Sequence, residues 1–165
     1  HARYETQRAI LGDVVAALYL QGIRKLIILN GHGGNSFKNM IRDLSVDFPD
    51  FLIAITNWYG IVPQEGYFEN KDDHAGELET SVMMYYHPEL VNLEEAGEGA
   101  SKPFALSSLN AQIAWLPRYW SKVSADTGIG DPRKSTPEKG ERYAKAVIEK
   151  LALLFTEIGS KEVYL

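Results

Sequence analysis

The chain reads as an α/β protein, a three-layer α/β/α arrangement around a mostly parallel sheet. Three stretches predict this. Lys25–Leu29 is apolar or β-branched apart from its lysine, the pattern of a short strand buried on both faces. Phe51–Thr56 is a second such run. Between them Ser36–Phe48 carries Phe37, Met40, Ile41 and Leu44 at helical spacing, so strand, helix and strand form a βαβ unit whose crossover should be right-handed. The first strand runs into Asn30-Gly-His-Gly-Gly-Asn35, where glycines let the backbone turn sharply. In open α/β sheets, ligands bind outside the carboxyl ends of strands. His32 is the functional side chain at the tip of that turn.

The remaining elements follow in order. Thr6–Gln21 is an amphipathic helix with Ile10, Leu11, Val14, Val15 and Leu18 on one face, Thr6 placed to cap it and Gly22 to end it. Asn35 or Ser36 is placed to cap the second helix. Asn57–Asp73 is a long loop bearing Trp58, Tyr59, Tyr67 and Phe68; loops of this length in compact domains are often functional. Trp58 and Tyr59 are therefore candidate substrate contacts, against the plainer reading of an aromatic flap packed on its neighbours. His74–Tyr86 is a helix stopped by Pro88, with His87 at its surface end. Val91–Ala125 carries little pattern, although Ile113–Trp120 has the composition of a strand that Pro117 would hold to a sheet edge. Thr127–Pro132 is a turn-rich loop without the sequence context of a phosphate cradle. Thr136 and Pro137 open a last helix that runs to about Ile158, with Tyr143, Val147, Leu151, Leu154 and Phe155 inward.

The composition narrows the function. The 165 residues suit one domain with a sizeable core, and a net charge of −5 without a basic stripe argues against nucleic acid. No apolar run approaches the ~20 residues that span a bilayer, and no signal peptide is visible, so a cytoplasmic location is expected. Cysteine is absent, which excludes disulfides, thiolate metal sites and a cysteine nucleophile. A metal here must be held by histidine and carboxylate, a donor set suited to zinc, manganese or iron.

The second informative stretch is Asp72-Asp-His-Ala-Gly-Glu-Leu-Glu-Thr-Ser81, with Asp72, Asp73, Glu77, Glu79 and His74 just before an apolar helix. Carboxylates at a helix start suit the macrodipole, so capping is the plain reading. A histidine and glutamates beside a second histidine loop fit a metal site better. Glu77 and Glu79 stand two apart and would point about 200° away from each other on a helix, so both should not face one metal. Glu79 is the first choice as ligand and Glu77 the second. His32 has the residue type and setting of a metal-ligating imidazole, the alternative being a loop histidine bonded to backbone. Asn35 would support it or line the substrate site.

Taken together, Asn30-Gly-His-Gly-Gly-Asn35, His74-Ala-Gly-Glu-Leu-Glu-Thr-Ser81 and the later Gly130-Asp-Pro, Thr136 and Glu138-Lys-Gly-Glu-Arg142 resemble the creatininase family, over about Tyr4 to Phe155. The resemblance implies a metal-dependent amidohydrolase that opens a C–N bond of a small cyclic or linear amide with a metal-activated water, two divalent ions per site, and a ring-like homo-oligomer, often a hexamer. It supports His74 as a catalytic position; because an imidazole can donate a proton to a leaving amine near pH 7, His74 is read as general acid or substrate clamp, with Asp73 to orient it. Creatininase itself carries a carboxylate in the loop after its metal histidine; here that loop reads Gly-His-Gly-Gly. The family's N-terminal Glu-x-His pair and downstream aspartate have no match here, so the chain is expected to be a C-terminal piece of a longer protein with part of the metal shell. A non-catalytic assembly module of the same fold is the competing reading. A nucleotide-binding Rossmann-like domain ranks last, because the G-x-G-x-x-G spacing is missing.

Overall fold

A computed structural model describes residues 1–70 and 73–164, so Asp72 of the acidic stretch lies outside the described residues. The elements are α1 (Tyr4–Leu20), β1 (Lys25–Asn30), α2 (Lys38–Asp47), β2 (Leu52–Asn57), α3 (Glu77–Tyr86), the single-turn helices α4 (Ser107–Asn110) and α5 (Trp120–Val123), and α6 (Pro137–Ser160). Residues 1–61 and 149–165 form one compact unit and 62–148 another.

In the first unit β1 and β2 pair in parallel, Lys25 opposite Leu52 through to Asn30 opposite Asn57, as the two apolar runs predict. Val15 of α1 and Leu44 of α2 are buried with Phe51 and Ile53, and Leu26 and Ile28 pack against them. Both helices therefore cover the sheet face that carries Leu26, Ile28 and Ile53. Leu29 on the opposite face is 50% exposed. The Lys25 ammonium donates to the carbonyls of Ile158 (2.7 Å) and Lys161 (3.1 Å), satisfying the end of α6 where cations are favoured.

Several local expectations change. Thr6 lies inside α1, which starts at Tyr4 without a side-chain cap, and Ile10 on the expected inner face is 62% exposed. Neither Asn35 nor Ser36 caps α2: the helix starts at Lys38 behind Phe37, because Asn35 is engaged elsewhere in its loop. Residues 74–76 are a turn and not the first turn of α3, since Ala75 takes φ +53°. No strand forms over Ile113–Trp120: Gln112 adopts φ +57°, and regular structure resumes only at Trp120.

The second unit is organised on α3 and the N-terminal half of α6. Tyr143 is fully buried, packs edge-on to Tyr67 (5.4 Å between centroids) and beside Phe68 (5.2 Å), and donates its hydroxyl to the Val62 carbonyl. Tyr67 and Phe68, both part-buried, thus pack onto the core of this unit, in line with the packing reading of the aromatic loop.

Candidate functional site

Asn30 closes β1 and is 3% exposed. Its amide donates to the His32 carbonyl (3.0 Å) and to Asn57 Oδ1 at the end of β2 (2.8 Å); its own Oδ1 accepts from Asn35 Nδ2 (2.9 Å) and the His32 N–H (3.3 Å). A buried amide with its donors and acceptor engaged holds a loop in one shape. Sequence reading missed Asn30 and Asn57 as this brace; the available signal was a matched asparagine at the carboxyl end of each strand.

The braced loop brings four predicted residues together: His32, Asn35, Trp58 and Tyr59. Trp58 Nε1 donates to the Gly31 carbonyl (3.2 Å), and the Tyr59 hydroxyl lies against Gly33, where a Cβ would meet it at 3.7 Å. His32 Nδ1 accepts the Gly34 N–H at 2.9 Å, and a Cβ on Gly34 would meet that nitrogen at 3.0 Å, a tight contact. With Nδ1 accepting, a neutral His32 carries its proton on Nε2. Ligation of a metal by Nε2 therefore requires the proton to pass to Nδ1 and the Gly34 bond to open.

The other predicted residues, Asp73, His74, Glu77 and Glu79, lie in the second unit. The His74 backbone is fixed by an antiparallel bridge to Ile129, its N–H donating to the Ile129 carbonyl (3.0 Å) and its carbonyl accepting from the Ile129 N–H (2.8 Å). The Thr127–Pro132 loop, read from sequence only as a turn, is what holds His74. Ala75 follows in the left-handed region, a conformation that costs a non-glycine residue about 1 kcal/mol or more. Its N–H donates to Glu79 Oε2 at 2.7 Å, and the same oxygen stands 3.9 Å from His74 Nδ1. The tight turn thus sets an imidazole beside a carboxylate, with about three-tenths of each side chain exposed.

Glu77 and Glu79 part as their spacing requires. Glu77 is fully buried, its Oε2 accepting the Glu69 and Asn70 N–H groups (2.9 and 2.8 Å) and its Oε1 the Lys139 ammonium (2.5 Å). The bond to Glu77 raises the Lys139 ammonium above its ordinary value. Asp73 forms an ion pair with Arg118, while the Glu79 carboxylate stands near the His74 ring. A cleft of about 440 Å³ beside this turn is lined by Ala75, Glu79, Thr80, Met83 and Asp126 among others.

Imidazole and carboxylate suit zinc, manganese or iron, so His32 and Glu79 have the donor chemistry. Among the described residues, no three histidine, aspartate or glutamate side chains gather into a metal-holding group.

Comparison with known proteins adds the family. The model of the creatininase family, described as creatinine amidohydrolase, matches residues 1–155. A crystal structure from Bacteroides fragilis NCTC 9343, provisionally assigned as a creatinine amidohydrolase, is 61% identical with a TM-score of 0.97, over 100% of this chain and 66% of that one. The mycofactocin precursor peptide peptidase of Mycobacterium tuberculosis is 29% identical over an alignment of 137 positions that covers 76% of this chain and 45% of that protein. A solved mutant creatininase described as Zn-Zn type aligns at 22% identity and TM-score 0.69, over 92% of this chain and 62% of its own; a creatininase described as Mn aligns at 20% and 0.70, over 93% and 64%. At that identity these two speak for the fold alone. The chain spans about half the length of the curated relatives it matches. With the family match running through both histidine loops and into α6, the chain belongs to the creatininase family.

Proposed function

We propose that the whole protein is a metal-dependent amidohydrolase that cleaves a C–N bond of a small cyclic or linear amide. The observation that carries this reading is the locked His74-Ala-Gly turn, where a strained backbone holds an imidazole 3.9 Å from the Glu79 carboxylate. Backbone strain of this kind clusters at functional sites.

In this reading His32 and Glu79 are metal ligands, and Glu77 is a structural anchor, because its carboxylate already serves three donors. When bound, a divalent ion supplies Lewis acidity and a water of lowered pKa. Zinc and manganese are the first candidates and iron the third, two ions per site, supported by the donor types here and by the Zn-Zn and Mn creatininases. His74 donates a ring proton to the departing amine nitrogen, a task suited to an imidazole near neutral pH. Asp73, held by Arg118, fixes the approach to His74. Trp58 and Tyr59 present apolar surface to the substrate, and Asn35 keeps the His32 loop in shape. No helix is long and apolar enough to cross a membrane. A cytoplasmic homo-oligomer, hexameric as in the family, completes the reading.

One observation favours a second reading, a non-catalytic assembly module: no three metal-ligating side chains converge among the described residues. Metal analysis of the whole gene product, followed by assay of the metal-loaded form on creatinine and on N-formyl and short peptide amides, separates the two. Bound metal with turnover supports the enzyme; a folded oligomer that holds no metal and turns over none of these amides supports the module.

A further inference from the structure

We infer that Trp120 and Arg118 form a clamp that positions the His74 ring. The inference rests on the reading of His74 as the proton donor. Three contacts build the clamp, all within residues 62–148. The Trp120 ring lies against the imidazole, 5.0 Å between centroids at 55°. The Arg118 guanidinium sits over the Trp120 ring at 5.4 Å, a cation–π distance. The same guanidinium forms the ion pair with Asp73, the residue before His74. A chain of contacts thus leaves His74 through its ring, crosses an indole and a guanidinium, and returns to the backbone beside His74.

The backbone of this residue is held separately. Both Asp73 and His74 donate their N–H groups to the Ile129 carbonyl, and Ile129 donates back to His74. The bridge fixes where the Cα sits but leaves the side-chain torsions open. About three-tenths of the His74 side chain is exposed. Trp120, 37% exposed, covers one face of its ring. A proton donor displaced by about 1 Å loses on the order of 100-fold in rate, so ring placement is where a neighbouring indole acts. The segment 115–120 has no regular structure before Trp120, and Arg118 ties it to Asp73. The ion pair therefore serves to bring the indole to the ring.

The test has one arm that needs no turnover. In the whole gene product labelled with 15N-histidine, at fixed pH, the His74 ring protons are identified by their loss in His74→Ala. In the parent they carry the shift imposed by the indole. In Trp120→Leu they should return toward the values of an open histidine; in Trp120→Phe, which keeps a ring there, most of the shift should remain; Arg118→Met should move them in the same direction as Trp120→Leu. Ring signals unchanged in Trp120→Leu overturn the clamp. The second arm measures hydrolysis of whichever of creatinine, the N-formyl amide and the peptide amide the parent turns over. Trp120→Leu should lower kcat by ~10-fold or more with KM within ~3-fold, Trp120→Phe should recover most of it, and Trp120→Leu should cost nothing further in a His74→Ala background. A displaced ring with unchanged kcat, or a change confined to KM, overturns the positioning role. If His74→Ala keeps parental turnover, or the parent hydrolyses none of the three, it is the assignment of His74 that fails, and the ring signals still judge the clamp.

Discussion

The Lys139 ammonium lies 2.5 Å from Oε1 of Glu77, a carboxylate with no exposed surface. Through it α6 is tied to the start of α3, and Glu77 in turn holds the Glu69 and Asn70 N–H groups of the loop that leads toward His74. Removing one partner of such a pair strands a buried charge. Lys139→Met should destabilise the protein by about 3–5 kcal/mol. Glu77→Gln, which keeps an acceptor oxygen, should cost less, about 1–3 kcal/mol. Combining Lys139→Met with Glu77→Leu should recover part of the loss. Urea denaturation of the three variants checks the order, and a double variant worse than Lys139→Met would overturn it.

The same pair makes stability fall in alkali. The Lys139 value is raised above 10.5, first by its bond to Glu77. A group raised on folding contributes fully below its unfolded value and loses that contribution as pH climbs through the folded one. Stability should hold through neutral pH and decline above about pH 10.5. Lys134 and Lys145, also raised by carboxylate partners, add to that decline. The measurement is therefore the difference between parent and Lys139→Met unfolding midpoints across pH ~8 to ~12. The gap should narrow with rising pH; a constant gap would count against the pair.

Gly140 explains a glycine near the start of a long helix. A Cβ there would be driven into the Ser81 carbonyl of α3, so the two helices cross with backbone against backbone. Alanine would gain up to about 1 kcal/mol of helix propensity, yet overpacking against a fixed backbone costs about 1–3 kcal/mol. Gly140→Ala should lower stability, and thermal unfolding of that single variant decides the sign.

Ala75 gives the opposite case. Its left-handed backbone favours glycine, so Ala75→Gly should stabilise the turn by up to about 1 kcal/mol after the extra freedom of an unfolded glycine is subtracted. Ala75→Val should destabilise it, because a β-branched side chain tolerates that conformation worst. Equal unfolding midpoints for the glycine and valine variants would show that the turn is not strained.

What could be read in the sequence was what depends on local pattern. The two parallel strands, α2 between them and most of the buried face of α6 follow from apolar spacing: Tyr143, Val147 and Leu151 are buried where that spacing puts them, while Phe155, expected on the same face, is 42% exposed. The opposite directions of Glu77 and Glu79 follow from a separation of two residues on a helix. The misses depend on distant partners. The Asn30–Asn57 brace joins two strand ends, the Ile129 bridge joins two loops, and Trp120 meets His74 from a segment with no periodicity. The strand expected at Ile113–Trp120 rested on composition alone, without a partner strand to pair with. Glu138-Lys-Gly-Glu-Arg142 was visible as a motif without a visible reason; Lys139 on Glu77 and Gly140 on Ser81 supply it.

The last prediction separates ligand from anchor among the acidic residues. His32 sits on an exposed glycine loop whose shape is held by Asn30, so His32→Ala should disturb little packing. In the whole gene product it should lose most bound metal and turnover, while the metal-free unfolding free energy stays within ~0.5 kcal/mol of the parent. Glu79→Gln should behave alike, since its amide oxygen can still accept the Ala75 N–H while its charge is gone. Glu77→Gln should differ in kind: less stable, yet holding parental metal per folded molecule, because its carboxylate is spent on Lys139 and two backbone donors. Metal content by mass spectrometry beside urea denaturation reads all three. If Glu77→Gln strips the metal and Glu79→Gln keeps it, the two glutamates have exchanged roles; if His32→Ala keeps full occupancy, the His32 imidazole is not a ligand.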